Sequence, residues 1–252
     1  MVLKNVFIRE KYLIYKNKVN KMNKNIGIIN FSNNCYLNVI IQLFLCNIKT
    51  SNIIVNYLDF ENKLINPKKL LKKLNNKINI SIQNDTQEAL IQILDIIPEL
   101  STYFENKIEN CFKCLECHKE RKKIDNFSTF NIHFNSLEES IKDYIKSEKF
   151  HLECDNCKKK TETIKSSKII NLGEILIFYN ILKQKIKISE DIIFNGKKYK
   201  LHGFIKHFGN QNSGHYIFID YQNSLIIDDT NIFKTNKLDL SNIYLLFYTI
   251  IK

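Results

Sequence analysis

Seven cysteines, six histidines and an adjacent pair of aspartates are the residues of this 252-residue chain whose types and spacing could do chemistry. Two CxxC pairs, Cys114-Leu-Glu-Cys117 and Cys154-Asp-Asn-Cys157, are separated by 36 residues, and each is followed by charged residues that suit a surface knuckle. Four thiolates on two such knuckles form the closed tetrahedral donor set of a structural zinc site. Cys114, Cys117, Cys154 and Cys157 are therefore the expected ligands and zinc the expected cofactor. Four unrelated thiols are the alternative, and two CxxC pairs in one chain speak against it. The ligand set stays open in one respect: Cys111 forms a competing pair with Cys114, and His118 or His151 could replace one thiolate.

Cys35 has a different setting. It follows Asn33 and Asn34, both helix-capping types, and opens a segment in which Tyr36, Leu37, Ile40, Ile41, Phe44 and Leu45 recur at helical spacing. A thiol at a helix N-terminus faces the positive end of the helix dipole, which favours the thiolate and makes a nucleophile. The competing reading is a buried, inert thiol, and that is the reading for Cys46 at the other end of the segment. A catalytic thiol also needs an imidazole to take its proton and a third group to hold that ring. Candidates for both lie far along the chain. Residues 199–208 alternate with a period of two, a strand signal, and a short polar turn leads through Gly214 to His215 and a second strand ending near Ile219. His215 then stands at a hairpin mouth where a glycine lets a substrate approach the backbone. A third strand, Leu225 to Ile227, runs into Asp228 and Asp229, and residues 243–250 make a fourth.

The elements around these residues divide into a helical N-terminal half, up to Leu100, and a β-rich half from Phe127 to Tyr248, an α+β arrangement. Within the first half, Gln87 to Leu94 reads as an amphipathic helix with Asp85 as its cap. Hydrophobic residues at 44% and charged residues at 25% exclude disordered and fibrous classes. No apolar run reaches the ~18 residues of a membrane helix, since the longest, Tyr36 to Cys46, is broken by Asn38 and Gln42, so no membrane partner is expected. The net charge of +12 raises the question of nucleic acid, but only Arg9 and Arg121 are arginines and the lysines are scattered. A solvated basic surface is the expected reading. Residues 1–24 lack the apolar core of a secretory signal, which points to the cytoplasm or nucleus and to cysteines held as thiols or metal ligands.

Taken together, the motifs resemble the ubiquitin-specific proteases, papain-like thiol hydrolases that remove ubiquitin. Residues 27–44, Gly-Ile-Ile-Asn-Phe-Ser-Asn-Asn-Cys-Tyr-Leu-Asn and onward, resemble that family's cysteine box; residues 199–209 leading to Gly214-His215-Tyr216 resemble its histidine box. Gln83-Asn-Asp-Thr-Gln-Glu88 resembles its glutamine- and acid-bearing motif, and the CxxC pairs resemble the tips of its zinc-bearing fingers. The resemblance implies a helical thumb, a β-rich palm and short fingers at about residues 108–168, within a catalytic domain of residues 26–252 after an N-terminal extension of residues 1–25. It implies Cys35 as nucleophile, His215 as general base and Asp228 as the acid orienting it, with Asp229 in reserve. Asn30 matches the oxyanion side chain. Gln83, Asp85, Glu88, Gly214 and Tyr216 are the implied contacts of ubiquitin's tail, flanked by His207. The implied reaction is hydrolysis after the C-terminal glycine of ubiquitin through a Cys35 thioester.

The chain also departs from the family pattern. Ser32 stands where glycine is usual, Asn34 precedes the nucleophile in place of Thr or Ser, Gly173 stands where Pro is common, and residues 179–183 replace a His-Leu-Lys-Arg-Phe run. Short fingers leave less surface for ubiquitin, so weak affinity for free ubiquitin and dependence on an activating protein partner are expected. Two other functions fit part of the pattern: a module that binds ubiquitin or a related modifier with impaired catalysis, and a zinc-ribbon nucleic-acid binder, which leaves Asn30, Cys35 and His215 idle.

Overall fold

A computed structural model describes residues 26–210 and 213–251; the expected extension over residues 1–25 and part of the turn before His215 lie outside the described residues. The chain divides into two compact units, one of Met1–Leu100 with His207–Leu238 and the other of Ser101–Lys206 with Asp239–Lys252.

The first unit is built around helix Cys35–Cys46. All twelve of its residues are buried, as expected of a helix apolar on every side, and it packs on helix Thr86–Ile96 and strand Gly214–Asp220. The interruptions at Asn38 and Gln42 are accommodated by hydrogen bonds rather than by exposure, Gln42 donating to the Ile26 carbonyl at 2.7 Å. A hairpin, Asp59–Glu61 with Leu64–Asn66, turns on Asn62 and Lys63, both at positive φ, and its Ile65 bridges the segment before Cys35. That segment is held on its other side as well: Ile28 N–H donates to the Asp229 carbonyl at 2.8 Å. Gly27 is required there, because a Cβ would lie 2.5 Å from the Thr230 carbonyl oxygen. Strands Gly214–Asp220, Leu225–Asp228 and Asn231–Lys234 pair in order, antiparallel.

The second unit holds strands Asp191–Phe194, Lys197–Gly209 up to Lys206, Ile243–Ile250, Ile175–Tyr179 and Thr129–Asn131, paired in that order and antiparallel except for the last pair. Ile175–Tyr179 and Ile243–Ile250 are almost continuously buried, the pattern of strands covered on both faces. A separate four-stranded antiparallel sheet runs Glu120–Phe127, Asn106–Cys114, Lys159–Asn171, Glu148–Cys154. It carries the CxxC knuckles.

Three features depart from the sequence expectation. The β-rich half begins at Asn106 rather than Phe127; the charged strand Glu120–Phe127 is largely exposed and so carries no apolar period to betray it. A helix, Leu137–Tyr144, interrupts the β-rich half, capped by the Ser136 hydroxyl, which accepts from Glu139 N–H at 3.1 Å. Most consequentially, the two halves of the sequence are not the two units. Residues 207–238 return to the first unit, so Cys35, His215 and Asp228 belong to one unit and need no closure of two halves to meet.

Candidate active site

The site begins with the turn before helix Cys35–Cys46. Asn34 is the residue preceding the helix, but its side chain caps nothing in it. Its Oδ1 instead accepts from Phe31 N–H at 2.6 Å, while its Nδ2 donates to Asn38 Oδ1 at 2.8 Å and to the Ile29 carbonyl at 3.2 Å. Asn30 Oδ1 accepts from the N–H groups of Ser32 at 3.0 Å and Asn34 at 3.3 Å. The loop is thereby wound around two asparagine side chains. Ser32, exposed at its tip, has φ 120, a conformation suited to the glycine it replaces.

His215 is the second residue of strand Gly214–Asp220, and Asp228 ends the neighbouring strand, whose register sets Phe218 opposite Ile227. His215 Nε2 lies 2.6 Å from Asp228 Oδ1. The Cys35 side chain is the first cause lifting the His215 pKa from 6.5 to about 9; burial opposes the shift and Asp228 adds to it. A protonated imidazole is the ionic state these neighbours favour.

Asp229 has a job of its own. It sits at positive φ (49°), directs one carboxylate oxygen to Asn30 Nδ2 and the other to Asn38 Nδ2, both at 2.7 Å, and so fixes the amide of Asn30. Both of its oxygens thus engage asparagines, and one ligand atom each of His215, Asp228 and Asp229 lie within 4.8 Å of one another. Asn38 was missed by sequence reasoning. The available signal was its place one turn after Asn34 on an otherwise apolar buried helix, where a polar side chain needs a partner.

The remaining residues separate into near and far. Gln83 lies against the thiol, its Nε2 3.9 Å from Cys35 Sγ, and its carboxamide pairs with both the N–H and the carbonyl of Gly214. His207 is buried and stacked on Tyr216 with ring centroids 4.3 Å apart, beneath Gly214, where a Cβ would come 2.4 Å from His207 Nε2. Asp85 Oδ1 caps helix Thr86–Ile96, accepting from Gln87 and Glu88 N–H at 2.8 and 3.0 Å, so that oxygen serves the fold; the Glu88 side chain is exposed. Cys46 is buried, with its sulfur 4.0 Å from Asp220 Oδ2.

In the four-stranded sheet, the sulfurs of Cys114, Cys117, Cys154 and Cys157 all lie within 4.8 Å of one another, with Cys114–Cys157 at 3.9 Å and Cys117–Cys154 at 3.6 Å. A tetrahedron with Zn–S arms of about 2.3 Å has edges of about 3.8 Å, so the four sulfurs fit a zinc ion. His118 and Lys158, just past each knuckle, adopt positive φ and close the turns. Backbone N–H of Cys117 and then the Thr161 hydroxyl lower Cys114 to about 6, whereas Cys117 pushes Cys157 up to about 12; a dication is what lets four such thiols ionise together. This is a structural zinc-binding site. Cys111 and His151 lie outside the cluster found among the described residues.

Similarity to known proteins follows the same outline. The Ubiquitin carboxyl-terminal hydrolase (UCH) pattern matches residues 26–248. The Schizosaccharomyces pombe (strain 972 / ATCC 24843) protein named Probable ubiquitin carboxyl-terminal hydrolase 8 is 25% identical over 169 residues, covering 58% of this chain and 37% of that protein's length. Two solved structures are similar across 100% of this chain and 76% of theirs: the SAGA Ubp8/Sgf11/Sus1/Sgf73 DUB module bound to ubiquitin aldehyde, at 20% identity and TM-score 0.72, and the same module with a point-substituted Ubp8 bound to monoubiquitin, at 19% and 0.73. The fold is thus the α+β, papain-like architecture with a finger sheet that carries a zinc-binding set of four cysteines. With its pattern matched from Ile26 to Tyr248, the chain belongs to the ubiquitin carboxyl-terminal hydrolase family.

Proposed function

We propose that this protein is a deubiquitinating thiol hydrolase that cleaves the bond after the C-terminal glycine of ubiquitin. The observation that carries the reading is His215 paired with Asp228 at 2.6 Å, with Gln83 joining the preceding Gly214 to the Cys35 sulfur and the thiol as the chief cause of the raised His215 pKa. Cys35 sulfur attacks the carbonyl carbon, and the charge that develops on the carbonyl oxygen is met by Asn30 Nδ2, whose second hydrogen remains after the bond to Asp229. The imidazolium of His215 gives its proton to the leaving amine, which leaves a thioester on Cys35. Neutral His215 then takes a proton from water as it attacks the thioester; the Cys35 sulfur leaves as thiolate beside the imidazolium, the product acid gives its proton to solvent, and the starting state is restored. Asp228 orients the ring throughout. Zinc takes no part and holds the finger sheet.

Residues 26–252 serve as the catalytic domain in this reading, supported by the family match over residues 26–248, with the sheet from Asn106 to Asn171 as the fingers. Glu88, exposed in the first turn of helix Thr86–Ile96, and its cap Asp85 are the acids offered to the basic tail of ubiquitin. The partners are ubiquitin or ubiquitinated proteins and an activating protein; the similar Ubp8 structures are complexes with Sgf11, Sus1 and Sgf73. The cysteines, none of them in a disulfide and four of them grouped as metal ligands, support action in the cytoplasm or nucleus. Several finger cations stand beside carboxylates, as Lys123 beside Asp125 at 2.7 Å and Lys159 beside Glu116 at 2.6 Å, which argues against a nucleic-acid stripe. A binding module with impaired catalysis is the second reading, favoured by Ser32 at φ 120 in the oxyanion loop.

The test is turnover of ubiquitin carrying a fluorogenic C-terminal amide. Cys35→Ala is expected to abolish it and Asp228→Asn to lower kcat about a hundredfold or more. Activity that survives Cys35→Ala would overturn the mechanism, and wild-type inactivity with zinc bound would favour the binding module.

A further inference from the structure

The Gln83 side chain occupies an unusual place. Its carboxamide accepts from Gly214 N–H through Oε1 at 2.9 Å and donates to the Gly214 carbonyl through Nε2, two bonds across 131 residues of sequence. Opposed residues of paired antiparallel strands exchange bonds in the same way. The same Nε2 stands 3.9 Å from Cys35 Sγ. A primary amide presents the donor and acceptor of a peptide unit, and this one is held beside the sulfur by the residue that precedes His215.

A substrate needs that space. Its reacting carbonyl carbon must come within about 3–3.5 Å of the sulfur, and an extended tail that reaches it runs past Gly214, whose N–H and carbonyl are the backbone groups it would pair with by strand addition. Gly214 cannot retreat, because His207, buried and stacked on Tyr216, lies directly beneath it, and a Cβ at Gly214 would clash with His207 Nε2 at 2.4 Å and the Phe208 carbonyl at 2.4 Å. Gln83, half-buried in the loop ahead of the Asp85 cap, is the side that can yield.

We propose that Gln83 is a displaceable gate: its carboxamide stands in for a peptide unit of the substrate and must swing off Gly214 before an extended tail can pair there and reach Cys35. The gate deepens the hydrolase reading and rests on it for the nature of the tail. It filters substrates by backbone chemistry, since only a chain offering both an N–H and a carbonyl at that point replaces both bonds. A tail with proline there, or with its amide N-methylated, replaces one.

Two readouts separate the gate from the reading on which it rests. The first needs no ubiquitin: the rate at which iodoacetamide alkylates Cys35 in the free protein, followed by mass. Gln83→Ala is expected to raise it about tenfold, in proportion to the closed population of a gate held by two hydrogen bonds. The second is KM for ubiquitin fluorogenic amide, expected to fall by a similar factor. A residue that merely supports the fold would leave alkylation unchanged or slow it and lower kcat. Gln83→Met, of similar length but without donor or acceptor, is expected to give a smaller rise in alkylation and covers the case in which alanine perturbs folding. Unchanged or slower alkylation in the folded variants overturns the gate even if wild type hydrolyses ubiquitin. A tenfold rise in a protein that ignores ubiquitin keeps the gate and overturns the modifier.

Discussion

Replacing Ser32 with glycine should make the protein more stable, because its backbone sits at φ 120, where a Cβ crowds the chain. A non-glycine residue held in such a region costs about 1–3 kcal/mol. Glycine also gains freedom in the unfolded chain, which offsets about 0.4–1 kcal/mol of the relief. The net is a stabilisation of about 0.5–2 kcal/mol, or roughly 1–8 °C in Tm for a chain of this size. Little else changes, since Ser32 is exposed and its bond to Asn30 Oδ1, at 3.0 Å, is donated by a backbone N–H that glycine also has. The assay is urea unfolding of wild type, Ser32→Gly and Ser32→Ala in the presence of zinc. Ser32→Ala keeps the Cβ and should match wild type within about 0.5 kcal/mol. A glycine variant less stable than the alanine variant would refute the strained loop, and with it the view that Ser32 burdens the oxyanion amides.

Other consequences follow from the same geometry. The His215 ring should titrate near 9 by NMR, falling most in Cys35→Ala and less in Asp228→Asn. Because this value lies above the ordinary 6.5, the pairing stabilises the fold fully below about 6.5 and is lost as pH rises through about 9, so unfolding free energy should decline over that window in wild type and by less in Cys35→Ala. Asn38→Ala leaves Asn34 Nδ2 and one Asp229 oxygen without their buried partner, at a cost of about 1–3 kcal/mol measurable in urea, with lower kcat as Asn30 loosens. Removing zinc with a strong chelator should melt the finger strands, seen as lost β signal in circular dichroism, and Cys154→Ser should abolish the roughly one equivalent of bound zinc. Cys111→Ser should retain it.

Much of the site was legible because its signals are local. Two CxxC pairs announce a metal knuckle each, and helical spacing after Cys35 announces the helix that buries it. Strand alternation placed His215 and the Asp228-Asp229 pair on adjacent strands, since the turns between them are short. What stayed hidden depends on tertiary partners. Asn34 looked like a cap but bonds Asn38 and Phe31, because the loop has an alternative use for its carboxamide. The partners of Asp229 were also hidden, because only the fold brings Asn30 and Asn38, about 190 to 200 residues earlier, onto its two oxygens. The charged strand Glu120–Phe127 carries no apolar period, and the return of residues 207–238 to the first unit has no local signature at all.

The central claim is that Cys35 forms a covalent thioester with the C-terminus of ubiquitin. It is tested most directly by mass spectrometry of the reduced, zinc-loaded protein after incubation with ubiquitin bearing a C-terminal thiol-reactive group, beside Cys35→Ala. The predicted result is a single ubiquitin adduct in wild type and none in the variant. An adduct that persists in Cys35→Ala, or no adduct in wild type with zinc retained, would contradict it.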